Sequence, residues 1–132
     1  NMANEKVEKW NVGFDSIGDI STDGTGLDIS NKIESNSVAT FEVILKDTSD
    51  KVKYDVNVRN SGTMDAKIGS IMLISDNNYV KFSLESVNAE DVIRSGESKK
   101  FSLIATYNAD NVEKKEFPLR SKLNLIFDFV QK

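Results

Sequence analysis

The chain has 132 residues, a formal net charge of −4, and no histidine or cysteine. A chain of this length can bury the core of one domain, but its acidic balance argues against nucleic acid as a partner, because neutralising phosphate needs a basic surface. The missing His and Cys remove the commonest general base, the best soft metal ligands and the thiol nucleophile. We therefore predict a binding or structural protein that is not an enzyme and holds no cofactor.

Apolar and polar side chains alternate through most of the chain. For example, the apolar residues Phe41, Val43 and Leu45 alternate with the polar residues Glu42 and Lys46. A period of two places one side-chain set on each face of a strand, so each run offers one apolar face to a core. The alternation predicts seven strands, at residues 7–14, 38–46, 51–60, 67–75, 79–87, 99–107 and 120–130. Two shorter strands are predicted at 17–20 and 27–33.

Turn residues lie between these strands at the spacing of a β-sandwich. Residues 47–50, Asp-Thr-Ser-Asp, are predicted to join two strands as a hairpin, and short helical turns are predicted at 88–94 and 109–114. The fold class is therefore all-β: an antiparallel two-sheet β-sandwich, jelly-roll-like, with seven to nine strands. The in-phase apolar positions predict a largely buried set: Trp10, Phe41, Val43, Tyr54, Val56, Val58, Phe101, Leu103, Leu125 and Phe127.

The organisation along the chain is a single domain with a polar N-terminus. Residues 1–9 are predicted to be a flexible segment or a donor strand, and residues 10–132 a single β-sandwich domain. Asn1 ahead of Met2 has the look of a tag remnant, so we expect a leader to have been removed from the natural N-terminus. The sequence contains no run of 18 or more apolar residues, so we predict no membrane span.

One segment has the spacing of calcium ligands. Asp19, Ser21, Asp23 and Thr25 place oxygen atoms at alternate positions, and Gly24 occupies the sixth position of an EF-hand-type loop. The twelfth position, where a bidentate glutamate would close the loop, is Ser30. These four residues are a calcium candidate, weighed against a solvated acidic loop; no other metal site is predicted.

Two acidic pairs, Glu90 with Asp91 and Glu113 with Glu116, are the candidates for acid–base work on a sugar. Carboxylates in charged loops are nearly always solvated, so we rank a hydrolase third, after a structural protein and a ligand-binding module. Tyr79 and Phe117 lie beside turns and are the aromatic residues free to contact a ligand at the surface. There is no G-x-S-x-G motif and no Walker or dinucleotide glycine motif.

Four segments in order carry a resemblance to a known family: WNVGF at 10–14, KYDVNVRN at 53–60 followed by SGTMDAKI at 61–68, IRSGESKKF at 93–101, and LNLIFDFVQ at 123–131. The chain resembles the secreted β-sandwich proteins of Gram-positive bacteria with SipW-type signal peptides, the TasA and camelysin biofilm-fibre family. The N-S-G-T-M-D-A turn is its most specific piece. Gly62 is predicted to supply a positive φ there, with Asn60 and Asp65 accepting hydrogen bonds from nearby backbone N–H groups.

The resemblance implies an exported structural protein of the cell surface or extracellular matrix, a fibre subunit that donates an N-terminal strand to its neighbour. Its partners would be copies of itself or other cell-surface proteins, with no nucleic acid. The metallopeptidase label attached to camelysin does not transfer, because a chain without His has no H-E-x-x-H motif. The alternative is a cell-surface β-sandwich module that binds a carbohydrate or protein ligand.

Overall fold

Nine antiparallel strands form the fold in the computed structural model, which describes residues 7–132. Strands take up 62% of the described residues, and none of these residues forms a helix. The strands are β1 (Val12–Asp23), β2 (Leu27–Ile33), β3 (Val38–Leu45), β4 (Lys51–Asn60), β5 (Ala66–Ser75), β6 (Val80–Glu85), β7 (Val92–Ile93), β8 (Ser98–Tyr107) and β9 (Leu119–Gln131).

The strands build two sheets that pack face to face, which confirms the predicted β-sandwich. The four-stranded sheet has the order β1-β4-β8-β6, and the five-stranded sheet has the order β2-β3-β9-β5-β7. Only β2 and β3 are neighbours both in sequence and in one sheet. The other connections cross from one sheet to the other, so most pairings join strands that are distant along the chain.

The alternation seen in the sequence places the core between the sheets. In β4, Val52, Tyr54, Val56 and Val58 are fully buried, whereas the residues between them are partly or fully exposed. Nine of the ten predicted core residues, all except Trp10, are at most 1% exposed. The strands with the clearest period of two are therefore those whose inner faces the sequence identifies correctly.

An aromatic cluster fills one half of this core. The Phe127 ring lies 4.8 Å from the Phe14 ring and 5.2 Å from the Phe101 ring, measured between centroids, and Phe129 closes the group at 5.9 Å from Phe127. Phe14 and Phe101 come from the four-stranded sheet and Phe127 and Phe129 from the five-stranded sheet, so these contacts fasten the sheets together.

The first strand begins later than predicted. β1 starts at Val12 rather than at residue 7 and continues to Asp23, so that it includes the short strand predicted at 17–20, with register shifts on both sides of Ser16 and Ile17. Trp10 therefore precedes the sandwich, and the prediction that it is buried is wrong: its side chain is 44% exposed. Residues 1–6 of the predicted donor segment lie outside the described residues.

Two local predictions are also wrong. Residues 47–50 form a turn, but β3 and β4 belong to opposite sheets, so this turn crosses the sandwich instead of closing a hairpin. The helical turns predicted at 88–94 and 109–114 are absent from the described chain. The first contains the two-residue strand β7, which pairs with Ala66 and Lys67, and the second is an irregular loop.

Candidate interaction site

A buried asparagine organises the corner between β4 and β5, defined here as residues 60–65. The Asn60 side chain is fully buried; its amide donates to the backbone oxygens of Met64 (2.7 Å) and Ile93 (2.9 Å), and its oxygen accepts from the Gly62 N–H (3.0 Å). Asp65 accepts from the Ser95 N–H at 2.9 Å. Both side chains thus accept backbone N–H groups as predicted, and Asn60 in addition ties the corner to β7.

The N-terminal arm, defined as residues 7–11, lies against this corner. The N–H groups of Ser61 and Gly62 donate to the Asn11 oxygen, at 2.8 and 3.1 Å. The Thr63 N–H donates to the Lys9 oxygen, and the Lys9 N–H donates back to the Thr63 hydroxyl, both at 2.8 Å. The corner therefore holds the arm at residues 9–11.

Gly62 has a role other than the predicted one. It is not among the residues with positive φ; instead, a Cβ atom at this position would collide with the carbonyl oxygen of Lys9 and the nitrogen of Asn11. Glycine is needed here because the arm passes directly over the backbone. The sequence shows the glycine but not the reason for it, because the arm residues that it contacts lie about fifty positions earlier in the chain.

Two large apolar side chains of the arm face solvent. Val7 is 83% exposed and Trp10 is 44% exposed, although the chain between them is anchored to the corner from Lys9 onward. Tryptophan is enriched among the residues that dominate binding energy at protein interfaces. An anchored arm with exposed Val and Trp is therefore a candidate contact for another molecule.

A second candidate is the outer edge of β5 over residues 70–75, called here the open edge. Strand β7 covers β5 only at Ala66 and Lys67, and the loop before β7 extends this cover to Ile68. Beyond that point, in the described chain, β5 pairs with β9 alone. The open edge has the sequence SIMLIS and bears no charge, and its apolar residues include Met72 at 48%, Leu73 at 38% and Ile74 at 51% exposed.

The other three sheet edges carry features that hinder strand addition. β1 carries Asp15, Asp19 and Asp23 together with two register shifts, β2 carries a register shift and an exposed lysine, and β6 is six residues long with a charge near each end. Charges, bulges and short length are the devices that keep native edges from pairing with other chains. The open edge of β5 has none of these along residues 70–75.

The calcium candidate lies mostly along β1. Asp19, Ser21 and Asp23 belong to an extended strand rather than to a loop that wraps around one point, and Thr25 follows it in the β1–β2 turn. The Thr25 hydroxyl already donates to Asp50, at 2.9 Å. Among residues 7–132 no group of three or more acidic side chains is placed to hold a metal ion.

The carboxylates proposed for the hydrolase hypothesis make hydrogen bonds and ion pairs with nearby residues. Glu90 bonds to the Lys67 ammonium at 2.8 Å, and Asp91 accepts from the Asn88 N–H at 2.9 Å. Glu113 accepts from the Tyr79 hydroxyl, and the Phe117 ring packs on Tyr107 with centroids 5.7 Å apart. None of these side chains lines a surface depression in the described part of the chain.

A shallow depression of ≈ 300 Å³ lies on the outer face of the five-stranded sheet. Its lining is polar and includes Ser30, Thr40, Glu42, Lys122 and Asn124. Glu42 accepts a hydrogen bond from the Arg120 guanidinium, which is the main reason that its pKa is lowered. The depression offers hydrogen-bonding groups, but Phe41, the aromatic residue of its lining, is 1% exposed, so it lacks a stacking platform for a sugar.

Asp50 joins the turn between β1 and β2 to the turn between β3 and β4, at the end of β4 opposite Asn60. Its carboxylate is 2% exposed and accepts from the Thr25 N–H (2.9 Å), the Thr25 hydroxyl, and the N–H groups of Lys46 (2.7 Å) and Asp47 (3.0 Å). Gly24, beside Thr25, has φ +75°, and a Cβ there would collide with the carboxylate. These hydrogen bonds, the Thr25 N–H first, hold the pKa of Asp50 below its usual range.

We expect this carboxylate to make stability depend on pH in the acid range. A folded-state pKa below the unfolded value, about 3.9 for aspartate, stabilises the fold above that value, and the contribution is lost as pH falls through the folded pKa. Urea unfolding at pH 6 and pH 3 should therefore show a smaller loss of stability for Asp50→Asn than for the parent chain. Ser49→Asn, which removes no carboxylate from the same turn, is the control and should follow the parent; an equal loss in Asp50→Asn would contradict the assignment.

Comparison with protein-family models, with curated proteins and with solved structures finds no match for this chain. The described residues 7–132 include no helix that is long and apolar enough to cross a membrane. The class that the fold defines is an antiparallel β-sandwich.

Proposed function

We propose that this protein is an exported structural protein of the cell surface or extracellular matrix, a fibre subunit that assembles by donating its N-terminal strand to a neighbouring copy. The observation that carries the proposal is the arm, which leaves the sandwich with Val7 and Trp10 exposed. The sequence resemblance to the TasA and camelysin family supports export and fibre formation.

The corner gives the arm a fixed point of departure. Backbone hydrogen bonds at Lys9 and Asn11 hold it to Ser61, Gly62 and Thr63, so Lys9 has a defined place on the surface. A strand added to a sheet edge gains affinity from main-chain hydrogen bonds, and its alternate side chains set the register. An arm on one face and an acceptor edge elsewhere make a head-to-tail contact, which forms an open filament when the rotation does not close a ring.

Deletion of residues 1–9 is expected to abolish slow, concentration-dependent polymerisation and to leave the folded monomer intact, because Val7 to Lys9 are exposed and contribute nothing to the core. Light scattering and negative-stain microscopy over days, on the full chain and on residues 10–132, measure this. Far-UV circular dichroism checks that both fold.

Two matched substitutions sharpen the test. Val7→Asp should slow polymerisation of the full chain, whereas Val112→Asp, at a position that is 90% exposed in the loop before β9, should not. Fibres from the truncated protein would remove the strand-donation mechanism. Failure of the full chain to polymerise under any condition would leave a plain surface sandwich.

The second candidate function is a ligand-binding module of the cell surface. The depression lined by Glu42, Lys122 and Asn124 is the feature that favours it, because these groups can bind a hydroxylated or charged ligand. We rank it second because binding sites for small molecules are usually deeper and largely apolar.

A further inference from the structure

The backbone of the open edge has a definite hydrogen-bonding phase. On β9, the Phe127 N–H donates to Ser37, away from β5, and Phe127 lies opposite Ile71. On β5, the Asp76 N–H donates to the Lys122 oxygen of β9. In an antiparallel pair, successive residues point their N–H and C=O groups alternately toward and away from the partner strand. The backbone groups of Ile71, Leu73 and Ser75 therefore point out of the open edge.

The side chains of the open edge divide between the two faces of the sheet. Ile71 and Leu73 lie opposite Phe127 and Leu125 of β9 and share their core-facing side. Met72 and Ile74 alternate with them and lie on the outer face.

We propose that two copies of this chain associate through their open edges, β5 against β5, antiparallel about a two-fold axis centred on Leu73. This inference goes beyond the proposed function: with the open edge paired to itself, strand donation would use another sheet edge as its acceptor. In this register Leu73 lies opposite Leu73 of the second copy, and Ile71 lies opposite Ser75 of the second copy. The two-fold axis repeats the second pair, with Ser75 opposite Ile71 of the second copy. Each of the three pairs exchanges two backbone hydrogen bonds, which makes six in all.

The same register matches the side chains. An even sum of paired residue numbers keeps core-facing residues opposite core-facing residues, so the two leucines at position 73 meet over the continuous inner face. On the outer face Met72 lies opposite Ile74 of the second copy. The exposed apolar surface of the edge is thereby covered, and the two five-stranded sheets become one ten-stranded sheet.

The chemistry of the edge favours a second copy over the arm as the occupant. Residues 70–75 carry no charge, so a two-fold pair brings no like charges together. The N-terminal residues 1–9, in contrast, carry two adjacent charged pairs, Glu5-Lys6 and Glu8-Lys9, and an extended strand would place charges on both of its faces against the apolar edge. A contact of one strand per copy is smaller than a standard stable interface, so we expect a reversible dimer that forms at high concentration.

The test uses opposite charges at the two-fold axis. In the full chain, Leu73→Lys and Leu73→Glu should each weaken dimerisation at least tenfold, because each places like charges directly opposite one another. An equimolar mixture of the two variants should restore the dimer, since Lys then faces Glu. Sedimentation equilibrium over a concentration series of fresh protein measures the association, and circular dichroism checks the fold.

Further variants keep the test decisive. Ile74→Lys, on the outer face away from the core, should weaken the dimer if the Leu73 variants fold poorly, and Val112→Lys should leave it unchanged. Undiminished dimerisation of the Leu73 or Ile74 variants, or a mixture that stays monomeric, would overturn the proposal. So would loss of the dimer on deleting residues 1–9, which would assign the edge to the arm. Retention of the dimer with no fibres would refute strand donation and support the edge pairing.

Discussion

Phe127→Ala should lower the free energy of unfolding by about 3–5 kcal/mol, through the lost transfer free energy of the ring and the cavity it leaves. Phe127 is fully buried, and its ring contacts Phe14 and Phe101 of the opposite sheet. Equilibrium urea unfolding measures the change.

The control for this prediction is Phe117→Ala. Phe117 is 36% exposed, and its aromatic contact is with Tyr107 alone. We expect Phe117→Ala to lower the free energy of unfolding by about 1 kcal/mol, because the Phe117 ring is already partly exposed and buries less apolar surface on folding than Phe127 does. A loss below about 1 kcal/mol for Phe127→Ala would mean that the inner face of β9 is wrongly assigned.

Asn60→Ala should lower the free energy of unfolding by about 2–3 kcal/mol, because it removes three hydrogen bonds of a buried side chain and each contributes about 0.5–1.5 kcal/mol. The Asn60 amide loses its bonds to the oxygens of Met64 and Ile93, and the N–H of Gly62 keeps only its bond to the Asn11 oxygen. Thermal and urea unfolding monitored by circular dichroism measure the effect.

Asn57→Ala, on the same strand, is the matched control. Its amide makes a single 3.2 Å contact with the Ser16 hydroxyl and lies partly exposed, so a loss below about 1 kcal/mol is expected. Equal losses for the two variants would show that Asn60 does not organise the corner.

The sequence was sufficient for the parts of the fold that a period of two controls. The buried faces of β3, β4, β8 and β9 follow directly from alternation, because each of these strands lies inside its sheet with one face on the core. The turn at 47–50 shows the limit of local patterns. Its residues specify a change of direction, but which sheet receives the next strand depends on pairings of β4 with β1 and β8.

The candidate site was less accessible from the sequence for the same reason. Trp10 continues the alternation of β1, but its neighbours Lys9 and Asn11 are bonded to the distant corner at residues 61–63, outside the sandwich. The open edge is exposed because β7 stops after two residues, which no pattern within β5 reveals. An uncharged run such as SIMLIS was the available signal, and it reads equally well as an interior strand.

The proposals of export and of a fibre role rest on the sequence resemblance together with the exposed arm. The measurement that tests this account most directly is the fluorescence of Trp10, the only tryptophan of the chain, followed during assembly. If the arm enters the contact between copies, the emission maximum should shift to shorter wavelength in step with light scattering. Assembly with no change in Trp10 emission would contradict the account.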